Sequence, residues 1–166
     1  SYAQEKSAQF GLHYGLSVPD APNTVPHHLY GVKGVAYIVP TFTLGGYYLV
    51  TGASEGSGGD RFDYSIHGIE AAYAIPSGAG STTVGLRTGI TKIHQLDTAT
   101  STKYILSPYH YGLVVSHDFY FMTWLALGFE GSYLHAERSK TDKGGNRYDL
   151  DSFNIINFMI TAQFRL

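Results

Sequence analysis

The chain has 166 residues, and only 14% of them are charged, against about 25% in an ordinary soluble domain. A net charge of −2 offers no basic stripe for phosphates and argues against nucleic-acid binding. The absence of cysteine excludes disulfides, thiolate zinc sites and cysteine nucleophiles. No run of about 18 apolar residues is present, so no membrane-spanning helix is predicted. The length suits one domain over residues 1–166, with residues 1–7 as a polar lead-in.

Alternation of apolar and polar residues with a period of two predicts eight strands and no helix. In chain order these strands are 10–18, 29–39, 42–52, 62–74, 83–91, 104–116, 119–135 and 156–166. In the fourth strand the apolar residues change phase, which predicts a bulge near His67-Gly68. The faces of the third strand, around Gly45-Gly46, stay ambiguous.

The connections between these strands alternate between two lengths. Long connections cover 19–28, 53–61, 94–103 and 136–149, whereas short ones lie at Pro40-Thr41, at 76–81 and at His117-Asp118. In an up-and-down meander all long connections meet at one end, and an even number of strands puts both termini at the other. Short periplasmic turns, long extracellular loops and strands of about 9–11 residues are typical of bacterial outer-membrane barrels. The sequence therefore predicts an all-β, eight-stranded antiparallel up-and-down transmembrane β-barrel.

The distribution of charge predicts which strand face meets lipid. The apolar faces carry aromatic residues near their ends, namely Phe10, Tyr14, Tyr109, Phe121, Tyr133 and Phe164, as expected of interfacial girdles. The opposite faces predict a polar network in a plugged lumen, formed by His13, Lys33, Glu70, Arg87, His110 and Glu130. Gln163, Trp124 and Met159 are also predicted to point inward.

One pair within this network follows from strand register. The turn between the fourth and fifth strands is centred between Gly78 and Ala79, so residues whose numbers add to 157 face one another. Glu70 and Arg87 meet this condition and predict an ion pair. We expect the network to stabilise the barrel, and a catalytic or proton-conducting role is the alternative.

The terminal strand, from Asn157 to Leu166, carries the most local resemblance to a known family. With Phe158, Ile160, Phe164 and Leu166 on one face, it resembles the C-terminal signal read by the outer-membrane assembly machinery, although that signal usually ends on phenylalanine. The whole pattern resembles the small outer-membrane barrels of the OmpA transmembrane domain, OmpX and OmpW type. The resemblance implies a monomer in a Gram-negative outer membrane, with periplasmic termini, and with lipid, lipopolysaccharide and the assembly machinery as partners.

The expected function is a structural scaffold, or surface recognition of an extracellular partner through four loops. The alternatives are a hydrophobic-ligand conduit of OmpW kind, a soluble lipocalin-like binder and a lipid A modifying enzyme. For an enzyme the candidate residues are His27, His28, His94 and His135, with Asp60, Asp97, Ser101 and Glu137. None of them lies in an acyltransferase or deacylase motif, so no catalytic residue, cofactor or metal is predicted. A further periplasmic domain stays open.

Overall fold

The computed structural model describes residues 8–21, 24–52 and 61–166. The strands are β1 (Ala8–Pro19), β2 (His27–Val39), β3 (Phe42–Thr51), β4 (Arg61–Ser77), β5 (Gly80–Asp97), β6 (Thr102–Leu106), β7 (Tyr109–Tyr120), β8 (Leu125–Ala136), β9 (Ser139–Lys143), β10 (Asn146–Leu150) and β11 (Phe153–Arg165). Over these ranges, no helix is long and apolar enough to cross a membrane.

The sheet closes on itself as an eight-stranded antiparallel barrel. Around the barrel the paired strands are β1–β2, β2–β3, β3–β4, β4–β5, β5–β7, β7–β8 and β8–β11. Strand β1 also pairs with β11 and closes the sheet, so that Gln9 faces Arg165. Strands β6 and β7 both pair with β5 and act as one barrel strand, interrupted at Ser107-Pro108. The predicted all-β, eight-stranded fold is confirmed.

The two ends of the barrel differ. At one end, here called the turn end, short connections lie at Pro40-Thr41, Gly78-Ala79 and 121–124. The Leu166 amide donates to the Ala8 carbonyl there, at 2.9 Å, so both ends of the described barrel lie on this side. Gly78 has a φ of +53°, a conformation that glycine adopts at little cost. The opposite end, here called the loop end, carries the other connections.

Three predicted connections differ from the structure. His117-Asp118 is not a turn, because both residues lie within β7: Asp118 is buried in the interior, and His117 faces outward and hydrogen-bonds to Thr82. Of the predicted long connection 94–103, only residues 98–101 lie between β5 and β6, where they form a tight turn. Residues 139–150 fold into the β9–β10 hairpin. Of the predicted connection 53–61, only Arg61 is described, and the predicted lead-in 1–7 lies outside the described residues.

The predicted bulge at His67-Gly68 is wrong. Strand β4 pairs without a shift with both β3 and β5 across these residues. Phe62, Tyr64 and Ile66 are buried in the interior, in the same phase as Glu70, so the strand has no need to exchange its faces. The register shift lies in β2 instead, between Tyr37 and Val39.

The outer surface carries an apolar belt that is free of charge. At the outward positions of residues 8–18, 28–38, 42–50, 65–77, 82–90, 109–119, 125–135 and 154–164 no Asp, Glu, Lys or Arg occurs. Large apolar side chains are exposed there instead, among them Leu86 at 63%, Phe129 at 62% and Phe158 at 64%. Trp124, predicted to point inward, is exposed in the 121–124 turn and stacks on Phe164.

A charge placed in the middle of the apolar belt should destabilise the barrel in lipid. We expect Leu86→Arg to lower the free energy of unfolding by about 2–4 kcal/mol, because an arginine at mid-bilayer loses its hydration. Val39→Arg at the turn end is the matched control and should cost about 0–1 kcal/mol. Denaturant titration in phospholipid vesicles measures both changes, and equal costs would contradict the assignment of the belt.

Candidate functional site

Four charged side chains from different walls meet in the interior and form a closed circuit, here called the charge ring. Lys33 on β2, Glu70 on β4, Arg87 on β5 and Glu130 on β8 all occupy inward positions and are buried. The Lys33 ammonium lies 3.2 Å from Glu70 and 2.5 Å from Glu130. The Arg87 guanidinium lies 2.7 Å from Glu70 and 2.5 Å from Glu130. Cations and carboxylates therefore alternate around the ring and balance in charge.

Glycines lie opposite two members of the ring, at positions where the neighbouring strand approaches closely. In the register, Gly45 lies opposite Glu70 and Gly112 opposite Arg87. A Cβ on Gly112 would lie 1.9 Å from the Tyr133 carbonyl oxygen, so this position accepts no side chain without a backbone shift. The pairing of Glu70 with Arg87 in the register is the one that the numbering of the turn predicts.

The two histidines named with the ring occupy different places. The Nε2–H of His13 donates to the Glu130 carboxylate, which can only accept, at 3.3 Å. His110 lies outside the ring and hydrogen-bonds to the Tyr47 hydroxyl at 2.5 Å and to the Thr91 hydroxyl at 3.0 Å. The Tyr47 ring lies 4.6 Å from the Arg87 guanidinium. Sequence interpretation missed Tyr47 because the faces of its strand were ambiguous.

The chemistry of the ring suits it to hold the barrel strands together and to block the lumen. Charges in a low-dielectric interior are tolerated only when they are paired and hydrogen-bonded, and here each of the four contacts two of opposite sign. An eight-stranded barrel has an interior just wide enough for side chains to fill. The ring links β2, β4, β5 and β8 across that space and therefore obstructs passage through the lumen.

Above the ring, toward the loop end, the interior is mainly apolar, with a few buried polar side chains that hydrogen-bond to one another. The predicted polar lumen is thus wrong for this half, which holds a packed cluster of Leu29, Tyr47, Leu49, Phe62, Tyr64, Ile66, Ile93, Leu106, Leu134, Ala136, Leu150, Phe153, Ile155 and Met159, with Ala21. The buried Ser17 hydroxyl contacts Tyr64 and donates to Asn157, which donates to Ser132. Filling a narrow closed barrel with apolar side chains stabilises it as a core does in a soluble domain.

The β9–β10 hairpin covers the loop end of this cluster. Leu150 is buried within it, and the Tyr148 ring stacks on Tyr104 at 4.7 Å between centroids. The Tyr148 hydroxyl donates to Gln95, and the Lys143 ammonium donates to the Lys103 carbonyl at 2.8 Å. The hairpin is therefore docked on the barrel.

Below the ring, the interior is polar down to the turn end. Asp118 is buried and accepts from the Thr161 hydroxyl at 3.4 Å. The Arg165 guanidinium lies 4.1 Å from the centre of the Tyr120 ring, and Gln163 is buried nearby on β11. Sequence interpretation missed Asp118 as an interior residue because it was assigned to a turn.

The candidate enzyme residues are distributed over several strands and both faces. His27 is buried inside against Tyr64, whereas His28, His94 and His135 face outward. Asp97 caps its own turn by accepting from the Ala99 amide and the Thr100 hydroxyl, with Ser101 next in the chain. Glu137 is exposed, and Asp60 lies outside the described residues. Within the described residues, no group of three or more His, Asp or Glu side chains could hold a metal ion.

The last strand displays its apolar face to the outside. Phe158, Ile160 and Leu166 are exposed there, and Phe164 is half-buried beneath Trp124. Strand β11 pairs along its length with β1 and β8, and it completes the closure of the barrel.

Several exposed charges on the hairpin and on the residues that flank it form ion pairs with one another. The Arg147 guanidinium donates to Asp149 at 3.1 Å, and Arg138 lies 3.5 Å from both Asp149 and Asp151. The hydrogen bond from Arg147 lowers the pKa of the exposed Asp149 carboxyl below its ordinary value. Exposed pairs of this kind contribute little to stability, so these side chains stay available for contact with a partner.

Comparison with known proteins identifies the fold. No protein-family model matches the chain, and no curated protein matches it in sequence. The crystal structure of Neisserial surface protein A is similar, with a TM-score of 0.79, 7% identity and coverage of 96% of this chain and 97% of that one. Ail, the attachment invasion locus protein of Yersinia pestis, gives 0.65 at 13% identity, covering 98% and 99%. The outer membrane protein OprG of Pseudomonas aeruginosa gives 0.63 at 8% identity, covering 97% of both chains. The chain has the fold of small eight-stranded outer-membrane β-barrels.

Removing one carboxylate from the charge ring should destabilise the barrel. Glu70→Gln leaves Lys33 and Arg87 facing Glu130 alone, and we expect the free energy of unfolding to fall by roughly 3–5 kcal/mol. Adding Lys33→Met restores the charge balance. The free energy of unfolding of the double variant should therefore fall by less than the sum of the losses in the two single variants. Denaturant titration measures each loss. Glu137→Gln, which alters an exposed carboxylate, is the control, and a loss as large as that of Glu70→Gln would contradict this account of the ring.

Proposed function

We propose that this protein is an integral outer-membrane protein of a Gram-negative bacterium that anchors and displays its loop end at the cell surface. The observation that carries this proposal is the uncharged apolar belt around all eight barrel strands. A closed barrel pairs its backbone groups internally, which a bilayer requires. The fold shared with known outer-membrane barrels supports the same location.

The interior favours an anchor over an open channel. The charge ring spans the lumen, the apolar cluster fills the half above it, and the docked hairpin covers the cluster. A solute would have to displace buried ion pairs and a packed core together. No catalytic role is assigned to the ring, since its described charges are engaged with one another.

The loop end supplies the surface for recognition. Strands β4, β5 and β6 extend beyond the belt, and the hairpin holds exposed charges of both signs, including Arg138, Lys140, Asp142, Arg147 and Asp151. Charged, solvated groups on a rigid scaffold are suited to binding an extracellular partner. In this proposal the barrel is a monomer with its termini in the periplasm.

The last strand is proposed to guide assembly. Its outward face, with Phe158, Ile160, Phe164 and Leu166, has the alternation of the C-terminal signal read by the assembly machinery. Because β11 closes the barrel against β1, recognition of this strand would act on the segment that completes the fold.

A hydrophobic conduit is the second candidate, and the apolar upper interior favours it. In a conduit, the side chains of this cluster would have to separate to admit a ligand, and the ligand would have to leave the barrel above the charge ring. Faster uptake of a fluorescent fatty acid by vesicles that contain the protein than by protein-free vesicles would support the conduit over the anchor.

Site-specific labelling tests the proposed orientation, and the natural absence of cysteine makes the experiment clean. Lys140→Cys places a thiol on the exposed hairpin, and Thr123→Cys places one in the exposed 121–124 turn. In intact cells, a membrane-impermeant maleimide should label Lys140→Cys and spare Thr123→Cys. Permeabilising the outer membrane should expose Thr123→Cys as well. Labelling of Thr123→Cys alone in intact cells would contradict the proposal.

A further inference from the structure

One wall of the barrel carries a group of cations directly above the apolar belt. This basic patch consists of Arg61 on β4, Lys92 on β5, Lys103 on β6 and Lys143 on β9, all exposed. On the walls formed by β2, β8 and β11, the outward residues at the loop end of the belt are His28, His135 and Asn154, and none of them is a lysine or an arginine. The cations are therefore concentrated on one side of the barrel.

Strand register fixes the geometry of the basic patch. Leu96 pairs with Arg61 on one side and with Lys103 on the other, so the Cα atoms of Arg61 and Lys103 lie two strand spacings apart, about 9–10 Å. A depression of about 390 Å³ lies between them. Lys92 lies lower on the same face of β5, and the Lys143 ammonium reaches the Lys103 carbonyl at 2.8 Å.

The basic patch has more positive than negative charge. Asp63, opposite His94 in the register, is the acidic side chain that lines the depression. Within residues 8–21, 24–52 and 61–166, the ammonium groups of Lys92 and Lys103 form no ion pair. They differ in this from Arg138 and Arg147, which pair with carboxylates on the hairpin.

An apolar depression lies below the basic patch on the same wall. It has a volume of about 470 Å³ and runs between β4, β5 and β7 within the belt; its outward lining residues are Ile69, Ala71, Leu86, Thr88, Tyr111 and Leu113. Ala71 and Thr88 are smaller than the outward side chains around them, and the depression lies where they contribute little volume. The wall thus offers cations at the level where the strands leave the lipid and an apolar recess beneath them.

We propose that this wall seats one molecule of lipid A, the phosphorylated glycolipid of lipopolysaccharide, with a phosphate on the basic patch and an acyl chain in the apolar depression. Arginine binds phosphate through paired N–H groups and lysine binds it as a point charge. A glycolipid with two phosphates suits cations spread over four strands. The choice of lipid A rests on the proposed function, because it requires the loop end to face the outer leaflet.

The proposed binding site is tested by measuring how lipid A binds to the protein in phosphatidylcholine nanodiscs. Hexa-acylated lipid A carrying both phosphates is titrated against the same lipid after enzymatic dephosphorylation, and native mass spectrometry counts the bound molecules. We expect the phosphorylated lipid to bind at least about tenfold more tightly, since basic residues at a membrane surface attract anionic headgroups. Equal affinity for the two lipids would overturn the proposal.

Matched variants locate the contact. Lys92→Gln/Lys103→Gln removes two cations of the basic patch and should weaken binding of phosphorylated lipid A about tenfold or more. Lys140→Gln/Arg147→Gln removes two exposed cations from the hairpin and should leave the affinity within about twofold, since these side chains lie outside the patch. All four positions are exposed, and the shift in gel mobility on heating checks that each variant folds. An equal loss in both double variants would overturn the assignment.

Two further outcomes separate the possible failures. If inorganic phosphate displaced lipid A at equal concentration, the acyl chain would contribute nothing to the affinity. That result would overturn the proposed lipid-binding site. Binding in nanodiscs does not depend on orientation in the cell. If lipid A binds in nanodiscs but the maleimide does not reach Lys140→Cys in intact cells, the proposed orientation is overturned, and with it the choice of lipid A as the occupant in the cell, while the measured binding site stands. If Lys140→Cys is labelled in intact cells but lipid A does not bind in nanodiscs, this inference alone is overturned.

Discussion

Four buried charges that compensate one another are the constraint on which the interior depends. Lys33, Glu70, Arg87 and Glu130 come from four strands, and each of them lies against two buried charges of opposite sign. Strands β2, β4, β5 and β8 must therefore be in the register that brings these four side chains to the same height in the barrel. The ring links distant parts of the chain and holds opposite walls together.

The outer and inner surfaces follow different rules. Outside, lipid excludes charge from every wall up to the level of Lys92 on β5 and Asp63 on β4. Inside, the interior changes along the axis from polar near Asp118, through the charge ring, to the apolar cluster beneath the hairpin. An apolar strand face therefore does not by itself identify the lipid side, and this explains why Phe62, Tyr64 and Ile66 share a face with Glu70.

The period of two and the lengths of the connections predicted the closed barrel, and the turn at Gly78-Ala79 predicted the register of Glu70 with Arg87. These features are local or follow from counting along a hairpin. Contacts between distant strands could not be counted in this way. The sequence therefore predicts that Glu130 belongs to the same network as Lys33 and Arg87, but not which of them it contacts. His117-Asp118 was assigned to a turn because polar pairs favour turns, although one residue faces the polar interior and the other faces Thr82. The β9–β10 hairpin escaped prediction because its exposed faces carry little apolar alternation.

The central claim is that the charge ring and the apolar cluster seal the lumen, so that the protein holds a surface at the membrane without conducting. Current across a planar bilayer into which the purified protein has been inserted tests this claim most directly. The account predicts that insertion, verified by the shift in gel mobility on heating, adds no stepwise ionic current at moderate voltage. Stable ohmic steps that scale with the amount of protein would contradict it.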